Sequence, residues 1–285
     1  MSKVNRNLIY DVGMHKGEDT AFYLKKGFSV IAFEADPDLI ASCKERFQEK
    51  IKENKLIIVE GAIVNDNVST KTIKFYQNQN NSVWNTVVED WSARNETFGT
   101  PSSIISVPTV NFKKCIEKFG MPHYMKIDIE GMDLVCLETL SHFENKPNYI
   151  SIESEKVNFS NLIKEFKLLE RLGYNKFKVI NQGDVPKQKE PLKSVEGQTL
   201  NYVFEPGSSG LFGNDFEGSW ISKRMAILKY RFIFFGYKLF GDHSKIKKWR
   251  IIKLFKRVMV KLLRTESVPG WYDTHAIHSS YNKLP

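Results

Sequence analysis

The chain has 285 residues, 41% of them hydrophobic, and carries a formal net charge of +9. Its three cysteines, Cys43, Cys115 and Cys136, form no C-x-x-C pair, which argues against a disulfide framework and a structural zinc site and fits a reducing compartment. No charge-free apolar run approaches the roughly 20 residues that a bilayer span needs, and the chain reads as a strand by Leu8 with no leader, so a cytoplasmic globular protein is expected.

The charge is unevenly placed. Residues 223–264 hold fourteen Lys and Arg against one acid, Asp242, a local balance of +13, whereas the remainder stands at −4. The division predicts a catalytic body over residues 1–205 and a basic, aromatic-rich helical extension over 206–285, with a boundary in the turn-rich EPGSSG.

Leu8 to Val12 is a short apolar strand that stops at a turn bracketed by Gly13 and Gly17. A helix follows, with Glu18 and Asp19 in its first turn and a stop at Gly27, and a second strand, Ser29 to Phe33, delivers Glu34 to its carboxyl end. A glycine turn followed by an acid that grips a ribose diol is a nucleotide-site pattern. The spacing is G-x-x-x-G rather than G-x-G-x-x-G, which disfavours NAD. S-adenosylmethionine carries an ammonium and a sulfonium and no phosphate, so Asp11, two residues before Gly13, suits that cofactor.

Asp38 to Lys52 is a predicted helix, and Lys55 to Glu60 a third strand leading to Gly61, Ala62 and Ile63, small apolar residues suited to a flat adenine ring. Between Asn65 and Val107 the pattern breaks into short alternating pieces, read as an insertion. Its amide-rich loop QNQNNSVWN, with Ser82, Trp84 and Asn85, offers hydrogen bonds and a stacking face. Ile104 to Val110 is a strand and Asn111 to Phe119 a short helix.

The second informative motif is HYMKIDIEGMDLVCL, from His123 to Leu137. Lys126, Asp128 and Glu130 stand at alternate positions of a strand and project to one side of it, and Gly131 permits the turn into a helix. Lys126 either neutralises an acid internally or belongs with the reaction chemistry at the sheet's carboxyl edge. The strand Asn148 to Ser154 places Glu153 beside Asp128 and Glu130, which fits a general base or, as an alternative, a divalent-ion site of oxygen ligands. His123, just before the strand, is read as structural. Phe159 to Leu172 is an amphipathic helix, and Tyr174 to Ile180 with Leu200 to Phe204 are read as the two last strands, a reversed pair closing an otherwise parallel sheet.

The runs DVGMHKGEDT, FEADP, GAI, KIDIEG and ISIES, in this order over about residues 7–205, resemble the FkbM-type methyltransferases, a branch of the Rossmann-like S-adenosylmethionine-dependent enzymes. The resemblance implies a Rossmann-like class I methyltransferase fold, a three-layer α/β sandwich whose mostly parallel sheet has a reversed last strand, and an O-methyltransferase acting on a hydroxyl of a sugar, polysaccharide or natural product. Carried over by position, Asp11, Gly13, His15, Gly17 and Thr20 match the cofactor loop, Glu34 the ribose acid, and Lys126, Asp128, Glu130 and Gly131 the site strand. Ala62, Ser82 and Asp128 complete the expected cofactor contacts. A base is useful because a sugar hydroxyl is a poor nucleophile; Glu130 and Glu153 rank first, with Asp128 beside them, and His15 second.

From Lys245 onward, Arg250, Lys253, Arg257, Lys261 and Arg264 recur on one side of a predicted helix, with Ile251, Phe255, Val258 and Leu262 opposite. With Phe232, Phe234, Phe235, Tyr237 and Phe240 before it, the segment suits peripheral contact with the anionic inner face of a membrane, or packing on the body or on a second copy of the chain in a homodimer. RNA methylation through the basic segment is the alternative function, disfavoured because no N-P-P-Y motif is present. A non-catalytic, membrane-attached cofactor-binding module is the other. The terminal WYDTHAIHSSYNKLP, with Trp271, Asp273, His275 and His278, is read as a lid or acceptor contact, and no metal site is expected there.

Overall fold

The computed structural model describes residues 3–78, 85–87, 102–129, 131–155, 158–240, 254, 257, 258, 260 and 270–281. In chain order the elements are β1 (Asn5–Val12), α1 (Glu18–Lys25), β2 (Ser29–Glu34), α2 (Pro37–Arg46), α3 (Gln48–Lys52), β3 (Leu56–Glu60), β4 (Ala62–Val64), β5 (Thr72–Asn78), β6 (Ser102–Asn111), α4 (Phe112–Phe119) and β7 (Pro122–Ile127). There follow α5 (Asp133–Leu140), β8 (Tyr149–Glu153), α6 (Phe159–Arg171), β9 (Tyr174–Asn181), α7 (Lys223–Phe240) and β10 (Tyr272–His278).

Seven strands form the central sheet in the order β3-β2-β1-β7-β8-β10-β9. Its two faces follow from the period of two along β1. Leu8, Tyr10 and Val12 enter one core with residues of α4, α5, α6 and α7, while Ile9 enters the other with Phe22 and Tyr23 of α1 and Cys43 of α2. The central strands are covered on both sides and so read as near-continuous apolar runs; all six residues of β7 are buried. Helix starts are set locally. Asp36 accepts from Asp38 N–H and Leu39 N–H ahead of Pro37, and Asn111 and Asn158 cap α4 and α6 in the same way. A small second sheet, β4-β6-β5, joins strands inside the expected insertion of residues 65–107 to β4 just before it, and β6 runs past its end.

Neighbouring strands from β3 to β8 are parallel, and β10 alone is reversed, antiparallel to both β8 and β9. Two expectations are corrected. Leu200 to Phe204 forms no strand; its Phe204 ring packs on Phe22 at 4.8 Å. The reversed strand is instead Tyr272–His278, read from the sequence as a lid, so pairing within the sheet crosses the boundary expected at 205/206. Its polar residues Asp273, Thr274 and His275 do not read as a buried strand, yet each is held in the sheet interior.

The segment between β9 and α7 is pinned by buried polar groups. The Lys26 ammonium lies 3.0 Å from Glu190 and 2.9 Å from Asp215, and His123 is 2.8 Å from both Glu196 and Asn148, which makes it a structural residue. Among the described residues no helix is long and apolar enough to cross a membrane.

Candidate active site

A cleft open to solvent runs along the carboxyl ends of β2, β1, β7 and β8. Its floor is the turn after β1. Gly13 has φ +92°, and a Cβ there would lie 1.9 Å from the Asp128 carbonyl oxygen, so the turn after β7 can press against this backbone only at glycine. His15 also adopts a left-handed φ of +53°. The turn is braced from α2, where Cys43 Sγ donates to the His15 carbonyl and Arg46 to the Lys16 carbonyl at 2.7 Å.

Beneath the turn lies an ion cluster. Asp11 and Lys126 are in register on adjacent parallel strands. The Lys126 ammonium donates to the Gly13 carbonyl at 2.9 Å and lies 3.4 Å from Asp11, 3.4 Å from Asp19 and 3.9 Å from Asp128. Burial alone would lower the Lys126 pKa, but the three carboxylates outweigh it and hold it well above the usual lysine range. Burial lifts Asp19 to about 6, and its oxygens accept from Ser209 N–H at 2.9 and 3.1 Å, which ties the 207–209 turn to the cleft. Three carboxylates face one ammonium, so the floor is net negative and suits a cationic ligand.

Asp11 and Thr20 do not reach the cleft. Asp11 is fully buried and accepts from Thr20 Oγ1 at 2.6 Å, so both act through Lys126 and the turn rather than as cofactor contacts. The expectation that they touch the cofactor is corrected: Asp11 is on the inward face of a central strand, against α1. Gly17 is likewise behind the turn, where a Cβ would strike Phe47. Of the loop residues, Gly13, Met14 and His15 line the cleft.

Glu34 stands at the end of β2 as expected. Its carboxylate accepts from the backbone N–H groups of His15 (2.8 Å), Ala35 (2.8 Å) and Asp36 (2.9 Å), which fixes its orientation toward the cleft. Burial raises its pKa above the ordinary carboxylate range despite these donors. Beyond it, Ala35, Leu39, Ala62, Ile63 and Phe75 form an apolar wall. Asn85 lines the same end and donates to Asp36 at 2.7 Å; Ser82 and Trp84 lie outside the described residues.

The opposite end holds Asp128, Ile129, Met132, Glu153, Gln182 and Trp271. β7 ends at Ile127, so Asp128 sits on the turn, yet it still faces Lys126. Glu130 lies outside the described residues. Two further acids support this end: Asp133, which the sequence does not mark, and Asp273, expected there as part of a lid or acceptor contact. Asp133 accepts from Ile129 N–H (3.0 Å) and Gly131 N–H (3.2 Å), shaping the turn that carries Asp128, and burial raises it to about 6. Asp273 pairs opposite Glu153 between β10 and β8 and accepts from Gln182 Nε2 at 2.7 Å. Burial, then the charge of Asp128, holds Asp273 well above the usual range. The strand-like D-x-H-x-I alternation of Asp273, His275 and Ile277 is the sequence signal that marks Asp273 as part of a strand. Among the described residues no group of three or more His, Cys, Asp or Glu is arranged to hold a metal ion.

The residues fit S-adenosylmethionine: Glu34 faces the cleft with its oxygens fixed for a ribose diol, an apolar wall stands beside it, and the floor is anionic rather than built to cradle phosphate. Fold and cleft define a Rossmann-like methyltransferase that uses S-adenosylmethionine. The chain belongs to the FkbM methyltransferase family: the family described as Methyltransferase FkbM domain matches residues 11–176, more than half of the chain. A search of curated proteins returned no match. Among solved structures, an S-adenosylmethionine-dependent methyltransferase from Archaeoglobus fulgidus is 11% identical, with 95% of this chain and 86% of that chain covered at a TM-score of 0.38. Precorrin-6y C5,15-methyltransferase from Geobacter metallireducens GS-15 is 13% identical, with 63% of this chain and 69% of that chain covered at 0.34. At these scores the likenesses carry no weight beside the strand order and the family match.

Proposed function

We propose that the chain methylates a hydroxyl of a sugar, polysaccharide or related natural product. The observation that carries this reading is the meeting of Glu153, Asp128, Gln182 and Trp271 at one end of the cleft, next to the anionic floor. Carboxylates and an amide can hold sugar hydroxyls, and the Trp271 indole, 42% exposed, offers a face for a pyranose ring. Bound in the cleft, S-adenosylmethionine supplies a methyl group on a sulfonium centre. Glu34 holds the ribose diol, the wall of Leu39, Ala62, Ile63 and Phe75 takes the adenine, and Asp19 with Asp128 faces the positive charges.

Alignment of the acceptor oxygen supplies much of the rate in such a displacement. Glu153 would accept the proton that the acceptor hydroxyl loses as its oxygen takes the methyl group and the methyl–sulfur bond breaks, the sulfur leaving as a neutral thioether. Asp273, opposite Glu153 and inclined to its acid form, limits the negative charge crowded beside the base. His15 is a poorer base, because its imidazole pairs with Glu18 at 3.3 Å and its backbone braces Glu34 at the ribose end.

The test is transfer of isotopically labelled methyl from S-adenosylmethionine to a panel of monosaccharides, oligosaccharides and lipid-linked glycans, with total RNA in parallel. An alkali-stable methyl ether on a sugar supports the reading. Label only in ribonuclease-sensitive material would replace it with RNA methylation.

A further inference from the structure

We propose that the outer face of α7 docks on an anionic lipid bilayer surface. α7 runs 18 residues, about 27 Å, and contains Lys223, Arg224, Lys229, Arg231 and Lys238 but no acid. Its inner side is fixed to the body. Ala226, Tyr230 and Ile233 are buried in the core, Tyr230 bonds Ser154 and Thr274, Lys229 donates to the Val179 carbonyl at 3.0 Å, and Tyr237 donates to the Gly270 carbonyl.

The side turned away is apolar where solvent should favour polar groups. Met225 is 53% exposed, Leu228 42%, Phe232 52% and Phe235 48%. Their spacing of three and four puts them in one stripe, and the exposed Arg224, Arg231 and Lys238, seven residues apart, form its border. At 100° per residue these seven side chains share an arc of roughly 140°. The aromatic group of this region is thereby divided: Phe232 and Phe235 face outward, whereas Phe234 and Tyr237 pack inward on the core.

An apolar stripe with a one-sided cationic border, on a helix that cannot turn its face inward, matches a helix lying in a bilayer interface. Charge complementarity selects anionic lipid as the occupant. The stripe has no acid among its neighbours on the helix, and the sequence that follows extends the excess, giving residues 223–264 a balance of +13. An apolar protein partner would leave that border and the basic run without counter-charge. Docking is peripheral, since α7 is not apolar enough to span a membrane.

The experiment is co-sedimentation of the full chain with vesicles of phosphatidylcholine alone and of equimolar phosphatidylcholine and phosphatidylglycerol. Two variants are compared, Leu228→Ser/Phe232→Ser/Phe235→Ser and Arg224→Glu/Arg231→Glu/Lys238→Glu, each checked for unchanged thermal unfolding and S-adenosylmethionine binding. The expected result is binding to the anionic vesicles only, weakened about tenfold or more in each variant and weakened further when ionic strength rises from about 0.1 M to about 0.5 M. Equal binding to both vesicles, or to neither, overturns the proposal. So does anionic binding that ignores the Ser variant, which assigns the attraction to the charges of 241–269 alone. A lower unfolding midpoint in the Ser variant would put that segment of the chain on the face, and loss of a dimer in sedimentation velocity would put a second copy there.

Discussion

Lys126 and Asp11 face each other in register on neighbouring parallel strands, the ammonium 3.4 Å from the carboxylate and both shut off from solvent. The pair links the two glycine-bearing turns of the cleft, because the same ammonium holds the Gly13 carbonyl and approaches Asp128. Removing the cation strands Asp11 and Asp19 as buried, unpaired acids. Lys126→Met should therefore lower stability by about 3–5 kcal/mol, read by urea unfolding, and should weaken cofactor binding with it. A variant as stable as the parent would show that the ammonium is not what neutralises this floor.

Glu34→Gln is expected to weaken S-adenosylmethionine binding about ten- to a hundredfold in calorimetric titration, while NAD binds to neither protein. The amide replaces one acceptor with a donor, and whichever way it turns, a backbone N–H of His15, Ala35 or Asp36 meets an N–H. Unchanged affinity would remove Glu34 from the ribose site.

Glu153→Gln should reduce kcat about a hundredfold or more and leave cofactor affinity within a factor of a few, once an acceptor is in hand. Equal loss of cofactor affinity would instead make Glu153 a cofactor contact.

Asp133 sets a pH dependence. Its pKa rises from 3.8 to about 6 on burial, so the stability it confers is complete below the unfolded pKa and is lost as pH climbs through about 6. The difference in unfolding free energy between the parent and Asp133→Asn should shrink by about 3 kcal/mol at most between pH about 4 and pH about 7, at 1.36 kcal/mol per unit. A difference that stays level across that range would place Asp133 outside the linkage.

The fold is legible where sequence and burial agree locally. Leu8 to Val12, Ser29 to Phe33 and the run through Ile127 read as strands because both faces are covered, and Gly13 and Glu34 mark the cleft because turn and strand end impose residue types. Asp11 is a different case. An acid beside a glycine turn reads as a ligand contact, but its position on an inward strand face gives it to Lys126, far along the chain, which no local spacing reveals. Asp273 differs for a related reason: an acceptor contact is expected of it, but Gln182, the side chain that holds it, reaches it only in the folded sheet, whereas Asp133 is held locally by the N–H groups of residues 129 and 131 in its own turn. The exposed stripe of α7 is the reverse, since periodicity alone cannot say which side of a wholly apolar or basic helix meets the core.

The place of β10 also bears on synthesis and assembly. Its partners β8 and β9 are complete by Asn181, but the strand that joins them begins only at Tyr272, so while the ribosome makes the intervening stretch two strand edges stand open toward each other with nothing between them. Central sheet closure is therefore a late, long-range step. A chain stopped before Tyr272 should collect in the aggregated fraction on expression, and a separate peptide carrying Tyr272–His278, supplied during refolding, should recover part of it.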